Sequence, residues 1–252
     1  MTTIKNNTVT IDTGGLSYRD LNAQLREHVT NGAQKIVLQN VCGQRYIGTD
    51  LKKPVDIEIN GTPGNDLGAF MDGPKISVHG NGQDCCGNTM NSGEIIIYGH
   101  AGDIIGLSAR GGKIFVREDV GYRAGIHMKQ YEEKKPILII GGTAQDFLGE
   151  YMAGGVLVVL GLTLPEGENH KARMIGTGMH GGVIYIRGNV DEYQLGKEVG
   201  VVELDDSDKS YLNELVGEFA GRFNLDAEEI MKQQFIKLIP RWLRPYGRLY
   251  AP

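Results

Sequence analysis

A glycine-rich segment holds the first residues whose spacing could bind a ligand. Gly176, Gly178 and Gly181 match the pattern GxGxxG. In dinucleotide-binding proteins this pattern follows a strand, opens a helix and holds a pyrophosphate on backbone N–H groups. Here a β-rich run, GVIYIRG at 182–188, follows the pattern instead of a helix. The context therefore argues against a dinucleotide site, and we expect these glycines to serve the fold.

Acidic residues recur along the chain and could form a row of carboxylates. Asp66, Asp84, Asp103 and Asp146 each lie close to a recurring glycine. Such a row could bind calcium or cleave a polysaccharide. Aspartate also favours turns, because its side chain accepts hydrogen bonds from nearby backbone N–H groups. The calcium-binding nonapeptide pattern is absent, so the turn interpretation is favoured.

The cysteines and histidines show no pattern of a metal or nucleophilic site. Cys85 and Cys86 are adjacent, Cys42 is distant from them, and none belongs to a CxxC pair. His127 and His180 show no ligand spacing such as HxxxH. No GxSxG, Walker or HExxH motif occurs in the sequence. We therefore expect no catalytic, cofactor-binding or metal-binding residues in this chain.

Composition excludes several classes of protein. Glycine accounts for 37 of 252 residues and proline for only 8, and the net charge is −5. An apolar content of 40% argues against disorder, and the scarcity of proline argues against collagen. A slightly acidic chain has no basic footprint for nucleic acid. No window is apolar enough for a membrane span or a signal peptide, so we expect a cytoplasmic protein without membrane contacts.

A repeat of 19 residues explains the glycine content. The recurring glycines are Gly68, Gly87, Gly106, Gly125, Gly149 and Gly176, with Gly48 before them. Residues 129–135 and 164–172 are polar insertions that lengthen two of the repeats and are expected as surface loops. Three residues after five of these glycines stands a methionine: Met71, Met90, Met128, Met152 and Met179. Chance would scatter the methionines, so we expect them in a column of the core.

Each repeat also contains a short β-rich run with alternating apolar residues, which is typical of strands. A unit of this length cannot bury its apolar face alone, but it can by stacking on copies of itself. The sequence therefore predicts a mainly β protein, a right-handed parallel β-helix of about seven coils with short helical caps at both ends. The Ile114 and Val116 alternation suggests strands buried on one face only.

Three regions are expected. Residues 1–34 should form a strand at Thr8–Asp12 and a capping helix that starts at Ser17. Residues 35–203 should form the β-helix, and residues 204–252 should form C-terminal helices, the first from Ser207 and another capped at Asp226, with a basic and aromatic tail. In that tail Arg241, Trp242, Arg244 and Tyr246 combine residue types that are enriched in protein interfaces, so they are a candidate contact surface. Folding of the tail onto the protein's own helices is the alternative.

Several segments resemble the GXGXG domain of the glutamate synthase large subunit. They include residues 40–51, 59–106, 121–129, 145–155 and 176–188, in which G-x-x-M-x-G-G recurs. The resemblance implies a β-helix, here without amidotransferase or synthase domains, as in the split glutamate synthases of archaea and some bacteria. A similar β-helix forms one of the subunits of formylmethanofuran dehydrogenase.

By this resemblance, the chain is a noncatalytic scaffold in glutamate biosynthesis and nitrogen metabolism. The complete oxidoreductase makes two glutamates from glutamine and 2-oxoglutarate. The partners would be a glutamine amidotransferase subunit and an FMN-binding synthase subunit, with FMN and the iron–sulfur cluster on the partners and none on this chain. Two alternatives stay open, the corresponding β-helical subunit of a formylmethanofuran dehydrogenase-type complex and an independent carbohydrate-acting β-helix enzyme. The sequence also leaves self-association open.

Overall fold

A computed structural model describes residues 2–5 and 8–241 and has the expected architecture, a parallel β-solenoid. It makes about six turns, slightly fewer than the seven coils we expected. All its strands belong to one sheet of 12 strands. The strands are β1 (Thr2–Lys5), β2 (Thr8–Asp12), β3 (Lys35–Cys42), β4 (Asp56–Thr62), β5 (Asp72–His79), β6 (Ser92–Ile97), β7 (Lys113–Val116), β8 (Ile137–Ile140), β9 (Ala153–Val159), β10 (Gly181–Arg187), β11 (Val199–Val202) and β12 (Phe235–Pro240).

The strands from β2 to β10 pair in parallel, each with the strand of the next turn. Antiparallel strands extend both edges, since β1 pairs with β2, and β12 lies between β10 and β11. The register aligns aliphatic residues of successive turns into a buried inner column, Ile36, Ile57, Ile76, Ile95, Ile114, Leu138, Leu157 and Ile184. This column supplies the apolar burial that a single repeat lacks.

Three α-helices and a 3-10 turn complete the described structure. They are α1 (Tyr18–Thr30), α2 (Asp206–Phe223), α3 (Ala227–Met231) and the 3-10 turn Glu192–Gln194. Ser17 caps α1 as expected, because its side chain accepts from the N–H of Asp20. Asp226 caps α3 in the same way. The start of α2 differs slightly from the expected Ser207, since Asp205 is the N-cap and accepts from the N–H of Asp208.

Helix α1 adds Leu21, Leu25 and Val29 to the interior core. Helix α2 instead lies against the outer face of the strands β6–β10, where its Phe219 packs in a second cluster with Phe115. Phe115 is therefore fully buried, and the expectation of strands with one buried face is wrong in this part of the sheet. The reason is that outward-facing apolar residues of neighbouring turns align into a stripe that only a helix from elsewhere in the chain can cover.

Ion pairs hold α2 on this face. The register aligns residues of alternating charge, Lys35, Asp56, Lys75, Glu94 and Lys113. Glu218 of α2 lies 2.6 Å from Lys113, and Arg222 lies 2.5 Å from Glu94. The guanidinium of Arg222 also lies over the ring of Phe115. Alternating charges on the sheet thus match opposite charges one turn apart on the helix.

Candidate functional site

The recurring glycines form one corner of the solenoid, which has an unusual backbone. In each turn, the corner glycine and the residues two before and two after it have φ between 51° and 77°. Most of the flanking residues are not glycine, and one, Ile104, is β-branched, for which this conformation is an outlier. The left-handed conformation turns the chain sharply while the residue before each glycine stays buried in the core.

A ladder of backbone hydrogen bonds ties the corners together. Each corner N–H donates to the carbonyl of the residue before the previous corner glycine, as from Gly87 to Leu67 at 2.8 Å and from Gly106 to Cys86 at 2.8 Å. The GxGxxG segment is part of the same ladder, because the N–H of Gly176 donates to Leu148 and that of Gly178 donates to the Glu198 carboxylate. These N–H groups are engaged within the fold, as the sequence context indicated.

The other repeating columns lie where the sequence placed them. Met71, Met90, Met128, Met152 and Met179 are all at most 1% exposed. The flexible methionine stem fits an irregular interior of this kind. The insertion 129–135 is mainly exposed as expected, but the insertion 164–172 turns inward at its end, where His170 and Ala172 are buried. The Nε2 of His170 lies 2.9 Å from the carbonyl of Arg187, and burial lowers the pKa of this imidazole.

The row of aspartates bonds to the backbone of neighbouring turns. Asp84 accepts from the N–H of Asp103 at 2.9 Å, Asp103 from Tyr122 at 2.8 Å and Asp146 from Arg173 at 2.8 Å. At Gly121 a Cβ would collide with the Asp103 carboxylate, so glycine is needed where the carboxylate crosses to the next turn. The turn interpretation is favoured by these contacts. Within residues 2–5 and 8–241, no group of three acidic, histidine or cysteine side chains could hold a metal ion.

The cysteines lack the environment of a nucleophile. Cys86 is fully buried, and burial raises the pKa of its thiol. Cys85 is half-buried, and burial followed by the carboxylates of Asp66, Asp84 and Asp103 raises the pKa of its thiol as well. A reactive cysteine needs the opposite, an electropositive environment that favours the thiolate.

Two columns of side chains project outward beside the corner glycines, and we call them together the corner ridge. Its residues lie two before each corner glycine (Tyr46, Asp66, Cys85, Ile104, Arg123, Phe147 and Met174) and two after it (Asp50, Phe70, Thr89, Ser108, His127, Tyr151 and Gly178). Side chains stack along the ridge from turn to turn. The guanidinium of Arg123 lies 4.7 Å from the centre of the Phe147 ring, and the rings of His127 and Tyr151 are stacked at 5.3 Å. Glu150, which is 8% exposed, accepts from Arg123 at 2.8 Å.

Sequence reasoning missed a buried charged network between α2 and the C-terminal strands. The Asp208 carboxylate accepts from the Tyr185 hydroxyl and from Lys237 Nζ, both at 2.6 Å. Burial opposes ionisation of Asp208, but these hydrogen bonds and one from the N–H of Asp205 outweigh it and lower its pKa. No spacing signal could have found this network, because its members are 23 and 29 residues apart.

Only one of the four tail residues proposed as a contact surface lies in the described part of the chain. The N–H of Arg241 donates to the carbonyl of Glu198 at 2.6 Å, and its exposed guanidinium lies 3.9 Å from Glu192. Trp242, Arg244 and Tyr246 lie outside the described residues.

The fold and its corners define a parallel β-solenoid protein in which recurring glycines stack turn on turn. No helix of the described residues is long and apolar enough to cross a bilayer. The sequence profile of the GXGXG motif family matches residues 17–244, and the chain belongs to this family. It is 50% identical over 252 residues, covering 97% of each chain, to the relative described as "Uncharacterized protein MJ1350" of Methanocaldococcus jannaschii.

Proposed function

We propose that this protein is a noncatalytic scaffold subunit of a glutamate synthase-like complex. The observation that carries the proposal is the GXGXG match over residues 17–244, because this motif is associated with the glutamate synthase large subunit family. The complex would form two glutamates from glutamine and 2-oxoglutarate. A glutamine amidotransferase and an FMN-binding synthase with an iron–sulfur cluster would be separate partner proteins.

The geometry supports a positioning role. Six intervals between the seven corner glycines make a stack roughly 29 Å long at the usual strand spacing. Its backbone is tied between turns at the strands and at the corners. Such a rod can hold two proteins on different faces at a fixed distance. The residues with the greatest potential for acid–base chemistry, Asp84, Asp103 and Asp146, hold the backbone of neighbouring turns, which favours a scaffold over a carbohydrate-acting enzyme.

Co-expression of the chain with the two partner proteins from the same organism tests the proposal. We expect the three proteins to elute together in size-exclusion chromatography, with a mass that corresponds to a ternary complex. The matched control omits this chain, and the two partners should then elute separately. If the chain binds neither partner, the proposal is wrong. Co-purification with molybdenum- or tungsten-containing subunits instead would identify the formylmethanofuran dehydrogenase-type complex.

A further inference from the structure

The corner ridge carries exposed apolar side chains at positions where the backbone disfavours them. Tyr46, Phe70, Tyr151 and Met174 are between 41% and 47% exposed, and all have φ between 52° and 62°. Left-handed positions outside glycine favour asparagine and aspartate, whose short polar side chains bond locally. A monomer would therefore be better served by polar residues at these four positions. Aromatic residues and methionine are typical instead of protein interfaces.

These four residues are distributed symmetrically along the ridge. Counted from the central turn at Gly106, they occupy the two outermost turns on each side. A two-fold axis that crosses the ridge at Gly106 would place a second ridge antiparallel to the first, with each column facing its own counterpart. Phe70 would then face Tyr151 of the second copy, and Tyr46 would face Met174 of the second copy.

Charges on the ridge are complementary under the same symmetry. Arg123, in the turn after the centre, would face Cys85 of the second copy, in the turn before it. The carboxylates of Asp66, Asp84 and Asp103 surround Cys85 closely enough to act on its thiol. The side chain of Arg123 is 45% exposed and donates from Nε to Glu150, which leaves its terminal nitrogens directed outward for these carboxylates.

We propose that the corner ridge is the interface of a two-fold symmetric dimer of this chain, in which two solenoids pack antiparallel about Gly106. Two-fold interfaces are self-complementary in this way, because each contact between two positions occurs twice. The ridge is roughly 29 Å long and only two columns wide. It therefore buries less than the roughly 800 Å² per partner of a standard interface, and the dimer is concentration-dependent. The dimer does not depend on the proposed scaffold role.

Sedimentation velocity of the full chain over a wide concentration range tests the dimer. We expect a monomer–dimer equilibrium that the substitutions Phe70→Asp and Tyr151→Asp each weaken about tenfold or more, as for interface anchors generally. Aspartate suits the left-handed backbone at both positions, so the variants should fold. The matched control is Tyr193→Asp, a change at an exposed tyrosine outside the ridge that should leave the equilibrium unchanged.

Charge reversal and cross-linking test the antiparallel arrangement. Phe70→Lys and Tyr151→Glu should each weaken the dimer, whereas the double variant should restore it, because each new lysine then faces a glutamate. In a chain with Cys42→Ser and Cys85→Ser, the substitution Ser108→Cys should form a disulfide-linked dimer, since Ser108 lies beside the two-fold axis. A chain that is monomeric at every concentration would overturn the proposal. A dimer that is indifferent to the ridge substitutions would overturn it as well.

These experiments use the chain alone, so their outcome is independent of the co-expression experiment. A monomeric chain that still joins the ternary complex would overturn the dimer and leave the scaffold role intact. A ridge-dependent dimer that binds neither partner would support the dimer and overturn the scaffold role.

Discussion

The corner glycines lead to a quantitative prediction at Gly149, the sixth corner of the solenoid. Gly149 has φ of +66°, and a Cβ there would lie 2.6 Å from Cδ1 of Ile184 in the next turn. The left-handed backbone costs an alanine about 1–2 kcal/mol. Crowding of the packed Ile184 side chain costs about 1–3 kcal/mol. The lower entropy of the unfolded alanine chain offsets about 0.4–1 kcal/mol. Gly149→Ala should therefore destabilise the fold by about 2–3 kcal/mol.

Gly217 provides the matched control, because it is an exposed glycine within α2 and an added Cβ would contact nothing within 4 Å. Gly217→Ala should stabilise the protein by about 0.5–1 kcal/mol, since alanine is the better helix former. Urea unfolding followed by circular dichroism measures both changes, and equal slopes against urea would show that the unfolded states are comparable. Equal stability of the two variants would refute the reasoning about the corner.

The remaining predictions concern the core and the buried polar groups. Met152→Ala should cost about 2–5 kcal/mol in urea unfolding, because it opens a cavity in the methionine column. Lys237→Met should cost about 3 kcal/mol by leaving Asp208 without its cation, whereas Lys209→Met, at an exposed pair, should change the unfolding free energy by less than about 0.5 kcal/mol. The pKa of His170 is lowered on folding, so the unfolded state binds more protons below the ordinary histidine pKa of about 6.5, and stability should fall between neutral pH and pH ~5. His170→Gln should flatten this pH dependence in thermal unfolding, and an unchanged slope would contradict the assignment.

The repeat made most of the solenoid predictable from sequence. A glycine column with a period of 19 residues and a methionine column three residues later identify the turns, because every turn meets the same steric demand at those two places. The expected strands and the caps at Ser17 and Asp226 follow from local patterns and are found in the structure. Local patterns suffice for these elements because each depends on neighbours within a few residues.

The features that the sequence did not reveal depend on contacts between distant segments. The burial of Phe115 requires α2, which begins about ninety residues later in the chain. The left-handed positions of the ridge escaped notice because their residue types vary from Tyr46 to Ile104 and Met174, and only their position in the repeat relates them. Asp208 and Lys237 likewise meet only after the C-terminal strands fold back onto the solenoid.

The most direct test of the scaffold role is the rate of glutamate formation by the two partner proteins with and without this chain. The partners would be purified separately, mixed at fixed concentrations with glutamine, 2-oxoglutarate and an electron donor, and titrated with the chain. We expect the rate to rise with added chain and to saturate at one chain per pair of partners, while the chain alone forms no glutamate. A rate that stays constant throughout the titration would contradict the scaffold role.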